Sequence, residues 1–166
     1  MWRYVLGLAM LSGPVGAEVL RAAVPAQVVA SGGHCDRIPD ETIPAPDAGG
    51  GSYDHNFSAF VYVVSGDSVP NEPGLGIGVR VRLEGFLPGE PIRVRIDPPG
   101  GDEAGSWNMA VGPDGEIEFG RLPAYGEALP VGQYRLSVSQ GGLWVFSYAI
   151  RVVTAEVRGL CIPEVS

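Results

Sequence analysis

The sequence predicts an all-β chain, an antiparallel β-sandwich of about 7–9 strands, on three observations. Short segments of alternating apolar and polar residues recur from Asn56 onward. Gly- and Pro-rich turn signals separate them roughly every 8–15 residues. Outside the N-terminal segment, no stretch carries the 3.6-residue period of an amphipathic helix. The spacing of the turns and the frequency of Greek-key arrangements favour a sandwich over a closed barrel. With 166 residues the chain fits one ordinary domain. A domain of that size buries roughly two thirds of its unfolded surface, enough for a core of its own.

Residues 1–17 read as a signal peptide, with Arg3 before a short apolar run and the small residues Val15-Gly16-Ala17 before the expected cleavage. The apolar run is far below the roughly 20 residues a membrane-spanning helix needs, so no stable membrane insertion is expected. Residues 18–56 should hold an N-terminal edge strand, around Val24, Val28 and Val29, and then a Pro/Gly-rich loop at 36–52. Pro39, Pro44, Pro46 and Gly49-Gly50-Gly51 leave little there to propagate a central strand.

The sandwich proper is expected over 57–166, with 18–166 forming one domain. Strands are expected at 57–64, 77–84, 91–97, 107–111, 116–119, 133–139, 143–153 and 155–161. Gly85-Phe86-Leu87-Pro88-Gly89-Glu90 and Gly112-Pro113-Asp114-Gly115 both read as hairpin connections. Trp144, Phe146, Tyr148 and Ile150 fall on one strand face, as do Trp107, Met109 and Val111, and both stripes should be core.

The two cysteines, Cys35 and Cys161, lie near opposite ends of a chain with an export signal, so a disulfide between them is expected in an oxidising compartment. The expected localisation is therefore secreted or periplasmic. The bridge would close a loop of roughly 125 residues, for which chain entropy gives roughly 5 kcal/mol. After loss of the signal peptide, ten arginines face 19 acids, a formal charge of −9. That net charge repels phosphates and argues against nucleic acid and anionic membrane surfaces as partners.

Gly85-Phe86-Leu87-Pro88-Gly89-Glu90-Pro91-Ile92, Pro113-Asp114-Gly115 and Leu129-Pro130-Val131-Gly132-Gln133-Tyr134-Arg135-Leu136-Ser137-Val138 resemble bacterial immunoglobulin-like or fibronectin-III-like extracellular domains. The resemblance spans residues 74–153. It implies an immunoglobulin-like sandwich, with Tyr134 at the position of a tyrosine corner whose hydroxyl closes back on the upstream connection. The terminal cysteines depart from the antibody pattern of an intersheet Cys–Trp–Cys core. The family carries no chemistry to transfer.

Period-two alternation places Arg80 and Arg82 on one face of their strand and Arg93 and Arg95 on one face of the next. If the intervening turn is a hairpin, Arg82 opposes Arg93 and Arg80 opposes Arg95, a patch for an anion or acidic ligand unless Glu116 and Glu118 screen it in a surface ladder. The two glutamates share one environment, which leaves nothing to split them into acid and base. His34, Cys35, His55 and Cys161 are the only His and Cys residues, and their spacing matches no zinc finger. Tyr53 and Tyr125 sit in expected loops and are candidate sugar contacts. Gly74-Leu75-Gly76-Ile77-Gly78 leads into a strand and not a helix, unlike a phosphate loop.

The function expected is that of a non-enzymatic binding, adhesion or envelope-assembly module with a protein or glycan partner and no cofactor. The alternatives are a metal-binding periplasmic protein using His34 and His55, or a carbohydrate-binding accessory domain.

Overall fold

The computed structural model describes residues 19–35, 41–46, 52–55, 59–101, 104–154 and 159–161, with the side chains of 19–21 and 52–55 left aside. The expected signal peptide, most of the 36–52 loop and part of the expected strand at 155–161 lie outside these residues. At 159–161 the chain is not a strand.

The strongest alternations form the centre of the molecule. β7 (Leu75–Leu83) turns Ile77, Val79, Val81 and Leu83 inward, each at most 3% exposed, and leaves Arg80 and Arg82 outside. β8 (Pro91–Asp97) buries Ile92, Val94 and Ile96; β11 (Gly132–Gln140) buries Tyr134, Leu136 and Val138. β12 (Leu143–Val153) adds Phe146, Tyr148, Ile150 and Val152, and β10 (Glu116–Arg121) adds Ile117 and Phe119. These side chains form a single core between two sheets. Stacking two half-apolar sheets is the arrangement that removes both inner faces from water.

One sheet has six strands. Its order is β1 (Val19–Ala22), β12, β11, β8, β9 (Gly105–Ala110), with β6 (Ser68–Pro70) lying parallel on β12 at Arg151–Val153. The other sheet has four strands in the order β10, β7, β2 (Ala26–Cys35), β5 (Tyr62–Ser65). A separate antiparallel pair, β3 (Glu41–Pro44) with β4 (Ser52–His55), lies within the stretch expected to be irregular. The proline there falls at the last position of β3, where a missing N–H costs little.

Tyr134 Oη donates to the carbonyl of Pro130 at 3.1 Å, closing the tyrosine corner over the β10–β11 connection. With the two-sheet order and the parallel β6–β12 contact, the fold is an immunoglobulin-like β-sandwich. Among the described residues, ten strands make up its two sheets. Both sheets recruit strands from before residue 57. Of the edge strand expected in this stretch, β1 does lie at the edge of its sheet, whereas β2, which holds Val28 and Val29, is central, flanked by β7 and β5.

The two expected hairpin connections are not hairpins. β7 and β8 lie in different sheets, and so do β9 and β10. Each turn carries the chain across the sandwich, while β7 pairs with β10 in register Arg82↔Glu116 and Arg80↔Glu118. Strand alternation reports which side chains face inward but not which strand lies alongside. A β7–β8 ladder would have opposed arginine to arginine, whereas the β7–β10 ladder opposes arginine to glutamate.

Candidate functional site

The four-stranded sheet carries the expected Arg–Glu ladder, and part of it is more than a solvated row. Arg82 meets Glu116 at 2.5 Å with its own side chain 49% exposed. Arg80 places both Nε and Nη2 on Glu118 Oε1, at 3.0 and 2.9 Å. Glu118 also accepts from the Phe60 backbone N–H at 2.8 Å and from Tyr62 Oη at 3.2 Å. One carboxylate therefore ties the 59–62 segment down over the outer face of the sheet. Burial, reinforced by the adjacent Glu118 carboxylate, pushes the Tyr62 phenol well above its ordinary range.

Under that segment His34, 5% exposed, stacks on Phe60 with ring centroids 4.0 Å apart. The two rings have room because Gly78 and Gly120 lie beneath them. A Cβ at Gly78 would sit 2.9 Å from the Phe60 ring, and one at Gly120 would sit 3.0 Å from His34 Nε2 and 2.3 Å from a backbone carbonyl. The glutamates hold separate arginines, so they work as anchors of a ladder and not as an acid pair.

Cys35 and Cys161 form a disulfide, which removes both from the metal-ligand set considered with the histidines. His34 is packed as an aromatic ring, and the side chain of His55 lies outside the described residues. Among the described residues no three His, Cys, Asp or Glu side chains cluster in a way that would hold a metal ion. Glu72, 5% exposed, accepts the Leu160 N–H at 2.6 Å and anchors the backbone next to Cys161.

The four arginines expected to share a patch do not assemble. Arg80 and Arg82 belong to the four-stranded sheet, while Arg93 and Arg95 lie on β8 in the six-stranded one. Their separation follows from the chain crossing between sheets at 85–90. On β8 the arginines gain new neighbours. Arg93 donates to Ser106 Oγ at 2.8 Å, and Arg95 pairs with Asp97 at 2.7 Å. Arg135 lies directly opposite Asp97, and Arg151 opposite Gln133, on the next strands of the same sheet. The strands of this sheet carry Arg21, Arg93, Arg95, Arg135 and Arg151 against one acid, Asp97, in a chain whose net charge is −8.

Arg135 and Arg151 were legible in the sequence as the polar members of the Tyr134/Leu136 and Ile150/Val152 alternations. Trp144 was not. A bulge at Val145 breaks the β11–β12 register, so that Phe146 pairs with Val138 while Trp144 pairs with Ser139. One extra residue puts both Val145 and Phe146 inside and turns Trp144, expected in the core, to the outer face, where it is half-buried. Trp144, Ser139, Arg93 and Asn108 thus stand in register across four strands on the outer side of the six-stranded sheet.

The two tyrosines expected to contact sugar lie on no strand of this sheet. Tyr125 is fully exposed in the loop before β11. Tyr53 lies in β4, in the separate strand pair, and its side chain is outside the described residues. A shallow groove of about 490 Å³ opens beside Val28–Ser31, Ser65 and Tyr148. It contains the Ser31 Oγ–Tyr148 Oη hydrogen bond, 3.0 Å, and no His or carboxylate side chain lines it.

No family model and no curated protein matches this chain. Among solved structures it is similar to an immunoglobulin-like protein of Pseudomonas aeruginosa, at 17% identity over 73% of this chain and 96% of that one, with a TM-score of 0.41. No helix among the described residues is long and apolar enough to cross a membrane.

Proposed function

We propose that this chain is an exported, non-enzymatic β-sandwich module that binds an anionic partner through the outer face of its six-stranded sheet. Export is supported by the signal-like residues 1–17 and by the disulfide, a bond that persists outside reducing compartments. The observation that carries the reading is charge segregation. A chain with nearly twice as many acids as bases places five arginines and one acid on the strands of a single sheet. Such a concentration costs self-repulsion, and an incoming anion relieves it. Arginine suits the task because its planar fork meets a carboxylate or sulfate with two hydrogen bonds.

Retention on a sulfonate cation-exchange resin at pH 7 and low ionic strength tests this directly. A protein of pI about 4.6 should flow through unless a basic face is segregated from the acids. The mature protein is expected to be retained and to elute with modest salt. The double charge reversal Arg135→Glu/Arg151→Glu should abolish retention, while Arg82→Gln on the opposite sheet should not. Flow-through of the unaltered protein would defeat the reading.

A further inference from the structure

We infer that the anionic partner is a uronate-bearing polysaccharide, laid across the strands of the six-stranded sheet with a sugar ring on Trp144. The inference rests on the basic face proposed above and adds the chemistry of what occupies it. Charge alone does not distinguish an acidic glycan from an acidic peptide; the neutral groups around the arginines do. Trp144, Ser139, Arg93 and Asn108 lie in register over three interstrand spacings, about 14 Å, the length of a short oligosaccharide.

A sugar ring has an apolar C–H face, a girdle of hydroxyls and, in a uronate, one carboxylate. Recognising all three needs an aromatic surface, side chains that both donate and accept, and a fixed cation. The indole, the Asn108 amide and the guanidinium of Arg93 supply these in that order, and Ser139 Oγ, whose proton goes to the Arg93 carbonyl, adds an acceptor. Arg95 and Arg135 lie to one side of this row, at successive two-residue steps along the strands, and add to the field that draws a polyanion to it. The bulge at Val145 is what brings an aromatic to this face. Bulges that re-aim a side chain recur next to functional sites.

The test is isothermal titration of the mature, oxidised protein with hexagalacturonate, with the neutral cellohexaose, and with a hexaglutamate peptide of matched charge. Hexagalacturonate should bind at least about tenfold more tightly than hexaglutamate, and cellohexaose should not bind measurably. Trp144→Ala should weaken hexagalacturonate about tenfold while leaving sulfonate-resin retention unchanged. Trp144→Phe, which keeps a stacking ring, should recover part of the loss and guards against a folding defect, as does the circular dichroism of each variant. Equal affinity for the two hexa-anions, or indifference to Trp144→Ala in a folded protein, would overturn the sugar assignment and leave the anionic face standing. Failure to bind either anion, together with flow-through on the resin, would instead remove the face itself.

Discussion

Reducing the Cys35–Cys161 disulfide should lower stability by about 5 kcal/mol, chiefly through the unfolded chain. The bond joins residues 126 apart, Cα to Cα 5.4 Å, so it closes about three quarters of the chain into a ring. Entering that loop length in the chain-entropy expression gives about 16 cal/mol/K of lost unfolded-state entropy, or about 5 kcal/mol at 25 °C. For a domain of this size 1 kcal/mol moves the melting temperature by about 2–4 °C, so the expected fall is about 10–20 °C. The folded reduced protein should keep its structure, because Glu72 still accepts the Leu160 N–H beside Cys161. The assay is calorimetric melting with and without a phosphine reductant, alongside the double variant Cys35→Ala/Cys161→Ala. Urea unfolding should show a steeper denaturant dependence once the chain is opened, since its unfolded state expands. A difference below about 1 kcal/mol by both routes would refute the loop-entropy argument for this chain.

Glu118→Ala should cost about 2–4 kcal/mol in urea unfolding, because it strips Arg80, Tyr62 and the Phe60 N–H of one shared acceptor. Glu116→Ala removes only the contact to the half-exposed Arg82 and should cost under about 1 kcal/mol; equal losses would mean that the 59–62 cover is not anchored by Glu118. Burial raises the phenols of Tyr62 and Tyr148 above their ordinary value, so the unfolded chain loses those protons first as pH rises. Stability should accordingly be flat from neutrality to the ordinary phenol range and fall above it; absorbance at alkaline pH showing both phenols ionising in the folded protein would contradict this. Tyr134→Phe deletes the hydrogen bond to Pro130 while keeping the buried ring, and should cost about 1 kcal/mol by thermal or urea unfolding.

The strands whose limits were most legible are those bounded by turn residues and facing a core on one side. β8 and β12 begin and end where alternation and flanking Gly or Pro place them. The tyrosine corner was legible for a similar reason, since Pro130, Gly132 and Tyr134 form a local motif whose hydrogen bond spans four residues. β2 was harder. Gly32 and Gly33 weaken its apolar pattern, yet those glycines lie against β5 and β7, where β2 becomes a central strand. The β3–β4 pair was hidden by its brevity, four residues a strand beside several prolines.

The candidate site divides along the same line. Which residues are polar and outward on each strand is a local property, so Arg80, Arg82, Arg93 and Arg95 could be placed on faces from alternation alone. Whether two faces belong to one surface depends on strand partners far apart in the chain. The crossing at 85–90 set one pair of arginines against Glu116 and Glu118 and left the other on the sheet whose strands also carry Arg135 and Arg151. The one-residue slip at Val145 changed Trp144 from core to surface without altering the residues around it.

Composition, alternation and turn chemistry by themselves determined an all-β sandwich, its inward stripes except at Trp144, and the pairing of its only two cysteines. All of these follow from burying one face of each strand and from having a single possible disulfide partner. Only the tertiary structure decided which strands are neighbours, because a period-two pattern is equally satisfied by a hairpin within one sheet or a crossing between two. Charge separation on the six-stranded sheet, and the indole beside it, are consequences of that choice.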